Sequence, residues 1–435
     1  MMVWVHLAIV LIFIFIGAKL GSIGIGYAGG LGVLVLALTG VRPGVIPIDV
    51  MLIIMAVVAT IGAMQVAGGL DFMVKWAEGV LRRNPKYITF LAPLITFHMT
   101  VLAGTGFIAL STLPVIAEVA KEQKVRPSRP LSIATVASQI AITASPVSAA
   151  VVFLASVMEP LGVDYLDILL ICYPTALLAV MCTSVICNFM GCEMEDDPVY
   201  QQRLKDGLVV MRGVSNIEIK EGALLSVKIF IGAVFCVCLY ASAISPRVGL
   251  ITMDMIPLTR DNAIFVIMFS AAAAISFLCK IDTGKVLNQS TFKSGMSAVM
   301  CVFGVAWLGD TFVRNYHAEI NAFAGNILDY YPWLMAVALF FSSMLLYSQA
   351  ATTRALVPLA IGMGVAPLTI VASFAAVSAL YVLPTYPTLL AAVEMDDTGT
   401  TRIGKYVFNH PFLIPGALNI FLAVVFAFFW GALFI

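Results

Sequence analysis

Apolar runs bounded by short polar or glycine-rich stretches occupy most of the chain, near residues 3–18, 20–40, 47–67, 87–103, 164–190, 223–247, 262–280, 293–308, 330–347 and 412–435. A helix of about 20 apolar residues crosses the hydrocarbon core of a bilayer, so the pattern predicts an all-α polytopic membrane protein. Four further apolar segments, near 106–120, 131–157, 351–364 and 367–395, are interrupted by Gly, Ser, Thr and Pro. They read as half-helices, re-entrant hairpins and broken spans.

The interruptions come in two pairs. In the first half stand Gly104-Thr105-Gly106 and Thr143-Ala144-Ser145-Pro146-Val147-Ser148, and in the second Ser348-Gln349-Ala350-Ala351-Thr352-Thr353 and Leu383-Pro384-Thr385-Tyr386-Pro387-Thr388. Unwound backbone at membrane depth survives only where it is buried in protein or lines a watery cavity, so paired breaks predict a central binding cavity. A half-helix starting at a break points unpaired N–H groups and its positive dipole end at that cavity. Two such ends suit a molecule with two carboxylates. The candidate substrate-binding residues are therefore Thr105, Gly106, Ser111, Thr143, Ser145, Ser148, Ser348, Gln349, Thr352, Thr353, Arg354, Pro384, Thr385 and Thr388. The competing reading is that each hydroxyl bonds its own helix carbonyls or glues helices together.

A polar stretch divides the chain, giving an N-terminal transmembrane repeat at 1–190, a linker at 191–222 and a C-terminal repeat at 223–435. Landmarks recur in order across the halves: residues 50–71 and 293–310 both end in Gly and Asp after an apolar span, and Leu113-Pro114-Val115-Ile116 parallels Leu356-Val357-Pro358-Leu359. These favour internal duplication.

Composition narrows the classes. The 435 residues are 61% hydrophobic and 11% charged, with a mean hydropathy of +1.02; a soluble domain carries about 25% charged residues. Net charge is zero, which argues against nucleic acid and against a polybasic lipid-binding surface. The start of the chain lacks a basic n-region and a cleavage site, so the first helix is expected to be retained. The eight cysteines have no metal-ligand spacing and read as small core residues. Gly24-Ile25-Gly26-Tyr27-Ala28-Gly29 matches a dinucleotide fingerprint but lies in an apolar span with no βαβ unit. Close helix packing through Gly17, Gly21, Gly24, Ala28 and Gly29 is the better reading. No Walker A loop, zinc-protease motif or nucleophile elbow occurs, so no enzyme activity, metal or cofactor is expected. Gradients or exchange must supply the energy.

Charged residues at or near apolar segments need a partner, water or a role. Arg354 directly follows the second break, where it can meet a carboxylate bidentately or snorkel to the interface. Glu78 and Arg82 are spaced for an i,i+4 ion pair, with a plain surface pair as the alternative. Asp310 is a candidate carrier of a coupling ion or proton, against simple pairing with Arg314. His98, inside the 87–103 span, reads as structural.

At Leu81-Arg82-Arg83-Asn84-Pro85-Lys86-Tyr87, Ser348-Gln349-Ala350-Ala351, Leu383-Pro384-Thr385-Tyr386-Pro387-Thr388 and Asp397-Thr398-Gly399-Thr400-Thr401-Arg402-Ile403-Gly404, the chain resembles the bacterial anaerobic C4-dicarboxylate transporter family, Dcu. The resemblance runs end to end and is strongest to its DcuA branch, through Ile61-Gly62-Ala63-Met64-Gln65-Val66-Ala67 and Trp307-Leu308-Gly309-Asp310-Thr311-Phe312. It implies uptake and antiport of fumarate, succinate, malate and aspartate across the bacterial inner membrane, such as fumarate or aspartate in and succinate out during anaerobic respiration. It also makes Glu78, Arg82 and Arg126 transport-associated charges. Analogy with the ion-transporter superfamily implies a homodimer in lipid and an elevator motion driven by a proton or sodium gradient or by exchange. A dicarboxylate-selective channel and a membrane-bound dicarboxylate sensor are the alternatives.

Overall fold

The computed structural model describes every residue except 1, 21–22, 47, 212, 214–217, 245–247, 249, 253, 257, 317, 320–330, 347, 384–385 and 406–407. Its regular elements among the described residues are all helical, as they must be where no water is present to satisfy an open sheet edge. The first half runs α1 (Met2–Leu20), α2 (Gly24–Leu38), α3 (Ile48–Val66), α4 (Gly69–Arg83), α5 (Ile88–Ala103), α6 (Leu113–Glu122), α7 (Ser128–Ile140), α8 (Ala149–Met158) and α9 (Tyr165–Cys187). The linker carries α10 (Pro198–Lys205). The second half runs α11 (Ala223–Ala243), α12 (Arg260–Leu278), α13 (Ser290–Cys301), α14 (Trp307–Asn315), α15 (Leu334–Leu346), α16 (Gln349–Gly362), α17 (Pro367–Ser373), α18 (Pro387–Met395) and α19 (Leu413–Gly431).

Six helical stretches among the described residues are long and apolar enough to cross a membrane, or seven if α3 and α4, bent by 74°, form one broken span. One of the six, Ser128–Leu161, is itself interrupted at residues 145–148. Fewer runs therefore qualify than the ten read from hydropathy. The run at 293–308 is the clearest departure: it splits into α13, a π-helical turn Val302–Ala306 and α14. The cause is close packing. A Cβ on Gly304 would lie 1.9 Å from the Gly26 carbonyl oxygen, and one on Gly29 would lie 2.3 Å from the Gly304 carbonyl carbon. Only glycine lets the two backbones touch, which bears out the packing reading of the Gly24–Gly29 string.

Two groups of elements pack within the fold. In one, α3 lies against α12 and α13, α11 against α12 and α4, and α2 against α1 and the π-helical turn. In the other, α5 packs on α7 and α9, and α15 on the 3₁₀ segment Phe374–Tyr381 that continues α17. There α6 meets α18, α8 meets α16, and α19 runs along α9. The cysteines do not all lie inside: Cys172 and Cys187 are buried, but Cys192 and Cys236 are exposed. Cys236 is on a lipid-length helix whose neighbours Phe235 and Leu239 are also exposed, where a small apolar side chain costs nothing.

Candidate functional site

Each sequence break is a real interruption of helix. After α5, Thr105 is extended and its hydroxyl accepts from the Phe107 amide at 3.4 Å, opening the 3₁₀ segment Gly106–Ser111. After α7 and its 3₁₀ extension Ala141–Ala144, residues 145–148 are irregular, and Ser148 caps α8 by accepting from the Val151 amide at 3.2 Å. Ser348, also extended, caps α16 by accepting from the Ala351 amide at 3.2 Å. The last break leads into α18, which starts with Pro387, a residue suited to a helix start because it has no N–H to leave unpaired. Pro384 and Thr385 lie outside the described residues.

Several candidate hydroxyls do bond their own helix. Ser111 donates to the Ile108 carbonyl at 2.6 Å, Thr143 to Ile140 at 2.7 Å, Thr352 to Ser348 at 2.8 Å and Thr353 to Gln349 at 2.7 Å. Others join segments. Ser145 donates to the Val101 carbonyl at 2.6 Å, tying the second break to the end of α5 before the first.

The residue that brings the breaks together was missed from the sequence. Gln139, fully buried at the end of α7, donates from Nε2 to the Thr388 hydroxyl at 3.2 Å. It receives the Gln349 side-chain amide on its main-chain oxygen at 3.3 Å and on Oε1 at 3.4 Å. A Cβ on Gly106 would lie 2.7 Å from Gln139 Nε2, so the first break presses against the same amide. Gly106, Gln349 and Thr388, from three of the four breaks, thus surround one carboxamide. Phe107 stacks on Tyr386 with centroids 6.1 Å apart, closing the same junction with two rings. The available signal was a lone amide in a run of small and apolar residues four positions before Thr143.

Arg354 points elsewhere along α16. Its guanidinium lies over the Phe153 ring of α8 at 4.5 Å, and among the described residues its Nε has no hydrogen-bond partner. Asp49, Asp261 and Asp310 are the acids that act on it electrostatically. Asp310 itself accepts from Arg314 at 2.7 Å and from the Val45 amide at 2.6 Å, so it pins the 41–46 loop to α14. His98 bonds the Leu94 carbonyl and the Tyr173 hydroxyl. Among the described residues no group of His, Cys, Asp and Glu is placed to hold a metal.

The remaining charges gather where the linker meets α4, α6 and α7. In the i,i+4 pair with Arg82, which keeps partial exposure, Glu78 is buried, 4% exposed. It accepts from Arg82 Nε at 2.8 Å, and Arg82 also reaches Glu122 of α6 and the Gly213 carbonyl of the linker. Arg126 pairs with buried Asp197 at 2.7 Å and donates to Ser128 and to the Cys192 carbonyl. Burial pushes the Asp197 carboxyl up, but the Tyr200 and Val199 amides and the Arg126 and Arg402 guanidiniums outweigh it and hold the group below the usual carboxylate range.

Comparison with known proteins shows the family of the chain. The C4-dicarboxylate transporter DcuA of Wolinella succinogenes is 60% identical over 424 residues, covering 97% of this chain and 98% of that protein. The C4-dicarboxylate transporter DcuA of Escherichia coli is 59% identical over 432 residues, 99% of both chains. The anaerobic C4-dicarboxylate transporter DcuB of Escherichia coli is 36% identical over 448 residues, 100% of this chain and 99% of that one. The family pattern described as an anaerobic C4-dicarboxylate membrane transporter matches residues 2–435, and with relatives of this identity at full length the chain belongs to that family.

Proposed function

We propose that this chain is a secondary transporter that takes up and exchanges fumarate, succinate, malate and aspartate, binding the two carboxylates of each at the broken helices. Transport of C4-dicarboxylates follows from family membership along residues 2–435 and from relatives bearing that activity in their names. The apolar helices and the bacterial relatives make it a multi-pass protein of the bacterial inner membrane.

The observation that carries the site reading is the convergence of Gly106, Gln349 and Thr388 on Gln139. Capped helix starts at Ser148 and Ser348 supply N–H groups and positive dipole ends at two of the breaks, which favours anionic carboxylates. The amides of Gln139 and Gln349, neutral and buried, donate and accept without fixing a cation in the membrane. A dicarboxylate entering between them takes over the acceptor role that the Gln139 oxygens play for Gln349. Two transmembrane repeats, 1–190 and 223–435, are supported by the matching order of elements: α5, break, α6, then α7, break, α8 in one half, and α15, break, α16, then α17, break, α18 in the other. The crossed packing of α6 on α18 and of α8 on α16 accords with such a pairing. A break-bearing unit that moves past the α2–α3–α12 scaffold, in a homodimer and with a proton or sodium ion as a coupling partner, completes the proposal.

Counterflow in proteoliposomes tests it. Internal succinate should accelerate entry of labelled fumarate, and entry should saturate. Flux that never saturates and ignores internal succinate belongs to a channel, and binding without flux to a sensor; either result removes the carrier reading. Imposed proton and sodium gradients identify the coupling ion.

A further inference from the structure

Lys121 sits at the end of α6, yet its side chain is only 2% exposed. An ammonium has three N–H donors, and all three are used. Lys121 Nζ lies 2.8 Å from the Glu118 carboxylate one turn earlier, 3.0 Å from the Asp397 carboxylate and 2.8 Å from the Val210 carbonyl. These partners belong to three separate parts of the chain. Glu118 is on the helix that follows the first break, Asp397 stands just past α18, which follows the last break, and Val210 is in the linker.

The surroundings hold each partner in place. The Val210 amide donates to Asp397 at 3.3 Å, and the Gly213 amide donates to Glu118 at 3.2 Å while its carbonyl accepts from Arg82 at 2.7 Å. Asp397 is held by its neighbour: the Asp396 carboxylate accepts from the Thr398 and Thr401 amides at 3.0 and 2.7 Å and from the Thr400 hydroxyl at 2.8 Å. That hydroxyl in turn accepts from the Ser128 amide at the start of α7. A buried ion cluster adds little net stability, but its partners are costly to separate. It specifies which segments stay together.

We propose that Lys121, with Glu118 and Asp397, is a positioning clasp that keeps the two break-bearing helices α6 and α18 moving as one body during transport, with Val210 and Gly213 of the linker as the strap. This rests on the transporter reading above. Lys121 does not touch substrate; it acts through α6 and α18, which pack on each other.

The test uses full-length protein in proteoliposomes, with labelled fumarate exchanging against internal succinate. Lys121→Met should lower the maximal exchange rate about tenfold or more, because Glu118 and Asp397 are left repelling each other, while KM stays within about twofold because substrate contacts are intact. A raised KM with an unchanged maximal rate, or no change in either, overturns the clasp. Should that variant fail to fold, Glu118→Gln/Lys121→Met/Asp397→Asn removes the uncompensated charges. It should also exchange slowly, and a wild-type rate in it overturns the proposal. Lys205→Met, an exposed linker lysine, should behave as wild type. Hydrogen exchange on the unmutated protein gives an independent reading: the Val210 and Gly213 amides should stay protected during turnover. Faster exchange there under turnover means that the strap opens, and the clasp is wrong. Failure of the unmutated protein to exchange dicarboxylates at all counts against the transporter reading instead.

Discussion

The Gln349 side-chain amide donates to the main-chain oxygen of Gln139 at 3.3 Å, joining residues 210 positions apart. Most hydroxyls of the breaks are satisfied within their own turn, whereas this pair spans the two halves of the chain. Both residues are buried, 0% and 5% exposed. In such surroundings a lost hydrogen bond is not replaced by water.

Gln139→Leu keeps the main-chain bond to Gln349 but removes its Oε1 acceptor, and it leaves the Thr388 hydroxyl without the Gln139 donor, at about 1–3 kcal/mol for the group left unsatisfied. Fumarate uptake should fall by about 5- to 150-fold, the range that 1–3 kcal/mol spans. Gln139→Glu should fall further, because a fixed negative charge would face a dianion. Counterflow rates normalised to the amount of folded protein check this. Uptake at the wild-type rate in both variants removes Gln139 from the site.

Alanine at Thr105, Ser145, Ser348, Thr352 or Thr385 should weaken uptake while leaving the protein at normal levels in the membrane. Ser348→Ala carries an added cost of about 1 kcal/mol for the lost cap; Thr352→Ala, which loses only a bond within its own helix, should cost less stability. If binding is at stake, KM for fumarate rises in both. Wild-type kinetics in all five variants would end the two-break site.

Legibility followed the physics of each signal. The apolar runs and their interruptions are read directly because a bilayer leaves the backbone so few options, and Thr105, Ser148 and Ser348 stand where helix stops or restarts. Segment 293–308 misled because hydropathy does not see Gly304 pressed on Gly26, a contact between residues 278 positions apart in sequence. Gln139 carried no charge and no motif, and its importance depends on Gln349 and Thr388 arriving from the other half. The linker acids and bases were visible, but their burial against α4, α6 and α7 was not, since it depends on partners such as Glu122 and Asp397.

Gly304→Ala should destabilise the α2 contact, because the new Cβ would lie 1.9 Å from a backbone oxygen that has no side-chain freedom to yield. Overpacking of this kind costs about 1–3 kcal/mol. Gly79→Ala is the control: nothing lies within 4 Å of its added Cβ, and alanine in a helix gains about 0.5–1 kcal/mol over glycine. Thermal unfolding in detergent should thus move in opposite directions for the two. A Gly304→Ala protein as stable as wild type would show that the two backbones are not in contact.

Asp197 predicts a dependence on pH. Its carboxyl is held below its ordinary value of 3.8 in the folded chain by the Tyr200 and Val199 amides and by Arg126 and Arg402, against the opposing effect of burial. The folded state therefore binds its proton more weakly than the unfolded state does. The resulting stabilisation is fully present above pH 3.8 and is lost as the pH falls through the lower folded value. Asp197→Asn removes this contribution at every pH. The gap in unfolding temperature between wild type and Asp197→Asn should stay constant from neutral pH down to about 3.8 and close below it. A gap that closes while the pH is still well above that value would mean that Asp197 is not held as a carboxylate by Arg126, and that the linker is docked by other contacts.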